Sequence, residues 1–196
     1  MKLIGLTGGI GSGKSTLAAV FSAMLIPVYE SDTRAKELMN QDPELKKGII
    51  GLLGPEAYTP EGQLNRSRIA SQVFNDPSLL QQLNSLVHPA VARDVHAWME
   101  KDVIKSAPYV IKESAILFEE HLTANLDAVI LVIAPEALRI ARVIHRDKVT
   151  EEQVRERMRH QWPDVQKIPL ADYVIYNDGQ RSLIEQVTDI DKMIRS

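Results

Sequence analysis

The run Gly8-Gly9-Ile10-Gly11-Ser12-Gly13-Lys14-Ser15 has the spacing G-x-x-x-x-G-K-[ST], and the chemistry of that spacing is the holding of phosphate. Successive backbone N–H groups must converge on phosphate oxygens, and side chains would block the approach, so glycines line the loop. A helix starting near Gly13 turns its positive dipole end toward the same anion. Lys14 offers a mobile cation for β- and γ-phosphates, and the Ser15 hydroxyl can ligate Mg²⁺. Gly11, Ser12, Gly13, Lys14, Ser15 and Thr16 are therefore the expected nucleotide-binding residues. The pattern arises by chance in about one chain in a hundred of this length.

A phosphate loop alone does not separate a kinase from a switch. Neither Asn-Lys-x-Asp nor Asp-x-x-Gly, the strings expected of a GTPase, occurs here. The nearest carboxylate closing an apolar strand, as in motor ATPases, is Glu113 after Tyr109-Val110-Ile111-Lys112. The chain reads as an ATP-dependent small-molecule kinase.

Asp32 follows the second apolar run, at the carboxyl edge where sheets of this class bind ligands. A carboxylate there can take the proton of an attacking hydroxyl. It can equally cap the helix expected over Thr33 to Met39, and the two roles are compatible.

Half of the twelve arginines fall between Arg139 and Arg159. Arg139, Arg142, His145 and Arg146 lie on or near one helical face. Arg142 and Arg146 have no carboxylate three or four positions away, so their like charges repel by about a few tenths of a kcal/mol. An external anion, such as a triphosphate, relieves that. Arg155 has Glu151 four residues before it and reads as a surface ion pair. His88 either lines a substrate cleft or is hydrogen-bonded on an apolar helix. No His spacing suits a metal, and Trp98, Trp162 and the methionines read as packing.

The elements that must position these residues can be read as well. Lys2–Thr7, Ile26–Tyr29, Tyr109–Ile111, Leu126–Ile133 and Tyr173–Tyr176 are short apolar runs, as buried parallel strands are. Helical patterns lie between them. The expected class is α/β, a P-loop NTPase fold with a five-stranded parallel sheet flanked by helices. Asp42-Pro43 and Asp76-Pro77 each read as an N-cap followed by Pro at the first helical position. Pro89 should kink or restart a long helix. Thr150-Glu151-Glu152-Gln153 reads as a capping box. The expected division is a nucleotide-binding core of 1–32, 107–135 and 169–196, a helical substrate region of 33–106, and a mobile lid of 136–168.

Composition narrows the class further. The 196 residues carry 23 Lys+Arg against 26 Asp+Glu and no cysteine. Disulfides, thiolate metal sites and a Cys nucleophile are excluded. Mild acidity argues against a nucleic-acid surface, and no run approaches the ~18 apolar residues of a membrane span. The opening residues lack the pattern of a signal peptide, so a cytoplasmic location is expected. A monomer is expected, with an oligomer left open.

The chain resembles the dephospho-CoA kinases. The run Leu6 to Ser15 is similar to the family's opening, and Asp32 matches the second aspartate of its Asp-Ala-Asp motif. His88-Pro89 matches its His-Pro step, and Ile116-Leu117-Phe118-Glu119 its Pro-Leu-Leu-Phe-Glu segment. Arg142 and Arg146-Asp147 match the lid motif, Gln161 the glutamine after it, and Ala171-Asp172 with Asn177 and Gly179 the closing pattern. Departures are Glu30, Ser31 and Ala115, and a lid-helix glutamine missing near Leu138 and Arg139. The resemblance implies ATP plus 3′-dephospho-CoA giving ADP plus coenzyme A, with a helical CoA-binding insertion and a lid. By the same resemblance Asp32 is the base, Lys14 and Arg142 stabilise the moving phosphoryl group, and Ser15 holds Mg²⁺. Arg146 and Asn177 would contact ATP, Asn177 beside the adenine, and His88 would contact substrate. An Asn-Asp-Gly turn also forms without a ligand. Two rivals stand beside this reading: a P-loop kinase with another alcohol acceptor, and a nucleotide-dependent regulatory protein.

Overall fold

The computed structural model describes residues 1–73 and 76–196. Its strands are β1 (Lys2–Thr7), β2 (Val28–Glu30), β3 (Tyr109–Glu113), β4 (Ala128–Ile133) and β5 (Tyr173–Tyr176), in the order β2-β3-β1-β4-β5. Every pairing is parallel. The helices are α1 (Lys14–Ala23), α2 (Ser31–Gln41), α3 (Pro43–Leu53), α4 (Arg66–Val73), α5 (Pro77–Met99) and α6 (Asp102–Lys105). They continue with α7 (Glu136–Asp147), α8 (Glu151–Arg159), α9 (Asp164–Lys167) and α10 (Leu183–Arg195). The expected α/β class with a five-stranded parallel sheet is the one found.

The chain forms two compact units, 1–30 with 102–196, and 31–101. In the first, one sheet face presents Ile4, Leu6, Tyr109, Ile111, Ile130, Val132 and Ile175. Leu17 and Phe21 of α1 and Val187, Ile190 and Ile194 of α10 pack against them. Each such side chain contributes about 1.5–3 kcal/mol by leaving water. The opposite face carries Leu117, Phe118, Val129 and Leu131, covered partly by Leu126 and Trp162. Burial on both faces is why these strands read as unbroken apolar runs rather than alternating ones.

Strand limits differ from the sequence reading for local reasons. Pro27 has no N–H for the ladder, so β2 begins after it, although the Pro27 carbonyl still accepts from Ile111 N–H. β4 begins after Asp127, whose carboxylate accepts the Leu3 N–H at 2.6 Å. Asp172 does the same for the Val129 N–H at 2.8 Å. β3 continues through Lys112 and Glu113, all five residues being buried.

In the second unit α5 packs against α2, α3 and α4. The Asp42 side chain accepts from Glu44 and Leu45 N–H, and Asp76 accepts from Leu79 N–H, each before a Pro at the first helical position. Both expected caps are present. Pro89, in contrast, does not restart the helix: α5 runs unbroken from Pro77 to Met99. Burial of Leu83, Val87, Ala90, Val91 and Val95 along it outweighs the one backbone bond that Pro removes. Arg34 ties α2 to α5 by a two-pronged contact with Asp94, at 3.0 and 2.7 Å.

Candidate active site

The loop between β1 and α1 is built as its glycines require. Gly13 has φ +103°, and a Cβ there would sit 2.0 Å from the Asn177 amide nitrogen. No side chain caps α1, and its first turn holds no acidic residue. Its leading N–H groups and positive dipole end are thus left for an anion. Ser15 and Thr16 lie exposed in that first turn.

Two hydroxyls, Thr7 Oγ1 at the end of β1 and Ser12 Oγ within the loop, are buried without a hydrogen-bond partner in the protein. Buried hydroxyls ordinarily find one. Lys14 Nζ stands 3.5 Å from Glu113 Oε1, with both side chains nearly out of solvent. The strand-closing carboxylate singled out in the sequence is thus the partner of the loop lysine.

Arg142 and Asn177 join this loop. Arg142 Nη1 donates to the carbonyls of Gly11 and Ser12 at 3.4 and 3.5 Å. Its Nη2 donates to the backbone and side-chain oxygens of Asn177, both at 3.2 Å. Asn177 Nδ2 in turn donates to the Ser12 carbonyl at 2.8 Å. The structure thus brings residues 142 and 177 to the phosphate loop.

Arg146 stands differently. Its side chain is exposed and forms an ion pair at 2.7 Å with Asp147, the next residue. Helical spacing rules did not anticipate that pair, because adjacent residues seldom face one another. The two guanidinium groups around it hold the Asp147 carboxyl below the usual carboxylate range, Arg146 more strongly than Arg157. Arg155 does bond Glu151, at 2.8 Å, and also Glu136, at 2.6 Å. The Thr150 capping box is present in full.

Asp32 lies exposed in the first turn of α2, which follows directly on β2. The helix begins at Ser31, so Asp32 is inside it rather than at its N-cap. His88 is half-buried in the middle of α5. Among the described residues no cluster of three or more His, Cys, Asp or Glu is arranged to hold a metal ion.

A family model, that of dephospho-CoA kinase, matches residues 2–182. The chain belongs to the dephospho-CoA kinase family. The dephospho-CoA kinase of Chlorobaculum tepidum is 41% identical over 193 residues, spanning 94% of this chain and 92% of its own. A solved structure from Thermus thermophilus matches with a TM-score of 0.85 and 35% identity, over 98% of this chain and 96% of that one. The dephospho-CoA kinase of Campylobacter jejuni shares the fold, with a TM-score of 0.70, 24% identity, and coverage of 100% and 98%. The resemblance read from the sequence holds over nearly the whole chain of this kinase.

Several residues that shape the kinase's site carried little sequence signal. Arg139 stood out only as one of a row of arginines, yet it is buried against the loop, 3.0 Å from the Ile10 carbonyl. Gln161, matched only as a motif residue, accepts the Ile10 N–H at 2.7 Å. Asp172, from the family's closing pattern, has a structural partner in Val129 N–H, which alone accounts for a carboxylate there.

Proposed function

We propose that this member of the dephospho-CoA kinase family transfers the γ-phosphoryl group of ATP to the ribose 3′-hydroxyl of 3′-dephospho-CoA. The products are ADP and coenzyme A. The observation that carries the reading is the loop at residues 8–15, a glycine-lined cradle at an uncapped helix start with Lys14, Arg142 and Asn177 around it. The donor set is cationic and amide-rich, which suits a triphosphate.

In this reading Gly11, Ser12, Gly13, Lys14, Ser15 and Thr16 hold the phosphates, and Asn177 borders the adenine. Lys14 leaves Glu113 for the β- and γ-oxygens, exchanging one anion for another. Arg142 bridges the loop and the transferring group, and Arg146 adds positive charge at the end of α7. Asp32 accepts the 3′-hydroxyl proton as that oxygen bonds to the γ-phosphorus, and the β–γ bridging oxygen leaves with ADP. When bound, Mg²⁺ supplies charge neutralisation at the β- and γ-phosphates, and Ser15 is the residue that would hold it. Catalysis is then mostly positioning and charge compensation.

The same reading makes residues 33–106 the region that takes the CoA end, with His88 in contact with substrate, and 136–168 a lid that excludes water. It also makes the protein a cytoplasmic enzyme, with a monomer expected and an oligomer left open. Among the described residues, no helix is long and apolar enough to cross a membrane.

The test is Mg²⁺-dependent ADP release from ATP with 3′-dephospho-CoA, beside adenosine, AMP, CMP, shikimate and gluconate. Release specific to 3′-dephospho-CoA, with product heavier by one phosphoryl group, is expected. Transfer to another acceptor instead would retain the loop's role and discard the substrate.

A further inference from the structure

Both peptide groups of Ile10, at the crest of the phosphate loop, are held by side chains from the far end of the sequence. Its N–H is accepted by Gln161 Oε1 at 2.7 Å, and its carbonyl accepts from Arg139 Nε at 3.0 Å. Arg139 is itself fixed, buried with Nη1 3.2 Å from Asp164 Oδ2. A Cβ on Gly9 would lie 2.1 Å from Arg139 Nη2, so the guanidinium stands directly against the loop backbone at Gly9. The Ile10 side chain completes the attachment by packing against the cluster of Ile140, Val143 and Val154 from α7 and α8.

We infer that Arg139 and Gln161 are positioning residues that set the loop's amide directions for nucleotide. The physical route is the trans peptide, in which C=O and N–H point opposite ways. Drawing the Ile10 carbonyl onto Arg139 turns the Gly11 N–H away from Arg139. Gln161 fixes the preceding peptide and keeps the Ile10 N–H out of the anion's reach. Neither residue touches the phosphates, and each acts through the backbone of Ile10. Asp164 enters the same device because it holds Arg139 in place. The device spans α7 and the segment after α8, so the geometry of the loop depends on how those elements are seated.

The inference rests on the reading that this loop holds ATP, and the experiment separates the two. MgATP affinity is measured by calorimetry on the full chain, together with KM for each substrate and hydrogen exchange at the Ile10 amide. Gln161→Leu removes the acceptor without changing charge. It should weaken MgATP binding about tenfold, the worth of one net hydrogen bond. It should leave KM for 3′-dephospho-CoA within about twofold and speed exchange at Ile10. Should that variant not fold, Gln161→Asn, too short to reach the Ile10 N–H, takes its place with the same expectation. Unchanged MgATP affinity, or equal loss toward both substrates, would overturn the inference. Lys14→Ala binding MgATP as tightly as the parent would instead overturn the reading of the loop.

Discussion

Glu119 Oε1 and Lys167 Nζ form an ion pair at 2.5 Å, with the lysine side chain wholly buried and the glutamate nearly so. Glu119 belongs to the segment after β3, and Lys167 closes α9, so the pair staples the chain leaving α8 to the segment between β3 and β4. The same Oε1 accepts the Trp162 N–H at 3.1 Å. Removing one member strands a buried charge, which costs about 3–5 kcal/mol, whereas removing both costs far less. Lys167→Met and Glu119→Gln should each lower the melting temperature sharply. The double variant should recover most of the loss. Additive losses in thermal melts of the three proteins would sink this account.

Arg142 makes four contacts with the loop and Asn177, all with oxygen atoms of the protein. An arginine fork spans them, and a lysine's single ammonium does not. Arg142→Ala should lower kcat by about a hundredfold, the loss typical of one donor to a developing charge. KM for 3′-dephospho-CoA should change little. Arg142→Lys should recover only part of kcat. A rise in KM with kcat intact, measured in steady state, would show that the residue binds ground-state substrate instead.

The roles proposed for Lys14 and Asp32 should divide in kinetics. Lys14→Ala removes the cation facing Glu113 and should abolish measurable transfer, with the fold kept as judged by circular dichroism. Asp32→Asn keeps the size and exposed setting of the residue and removes its basicity. MgATP binding should persist while kcat falls by about a hundredfold or more, the range for loss of a general base. Full turnover in Asp32→Asn would remove that residue as the base.

What the sequence disclosed, and what it withheld, follows from the range of the interactions. β1 and β5 were legible residue for residue, because short apolar runs ending in turns are local signals. The caps at Asp42, Asp76 and Thr150 were legible for the same reason. The phosphate loop was legible because its chemistry fixes four residue types within eight consecutive positions. The clamp on Ile10 was not, since Gln161 lies 151 positions away and a glutamine has no spacing signature of its own. The partner of Lys14 was visible only as a candidate carboxylate. Helical spacing left Arg146 unpaired because it does not consider a bond to the next residue. Pro89 suggested a kink or a restart, and burial along α5 overrides the restart.

Lys112 is the buried cation of the central sheet, between Gly5 of β1 and Tyr29 of β2 in the strand register. Burial alone pushes its ammonium pKa down. Unfolding restores the ordinary value of about 10.4, so between the lowered pKa and that value the unfolded chain binds more protons. Stability at this site therefore rises with pH across the window, and the full cost of the buried charge is felt below it. Lys112→Met removes the charge and keeps an unbranched apolar stem. At pH 7 it should be more stable than the parent by about 1 kcal/mol, as charge-to-apolar replacements in cores often are. The advantage should shrink as pH rises toward about 10.4. Urea unfolding of both proteins across that range measures the gap directly. A gap that stays constant with pH would show that packing, not desolvation of the ammonium, sets the difference.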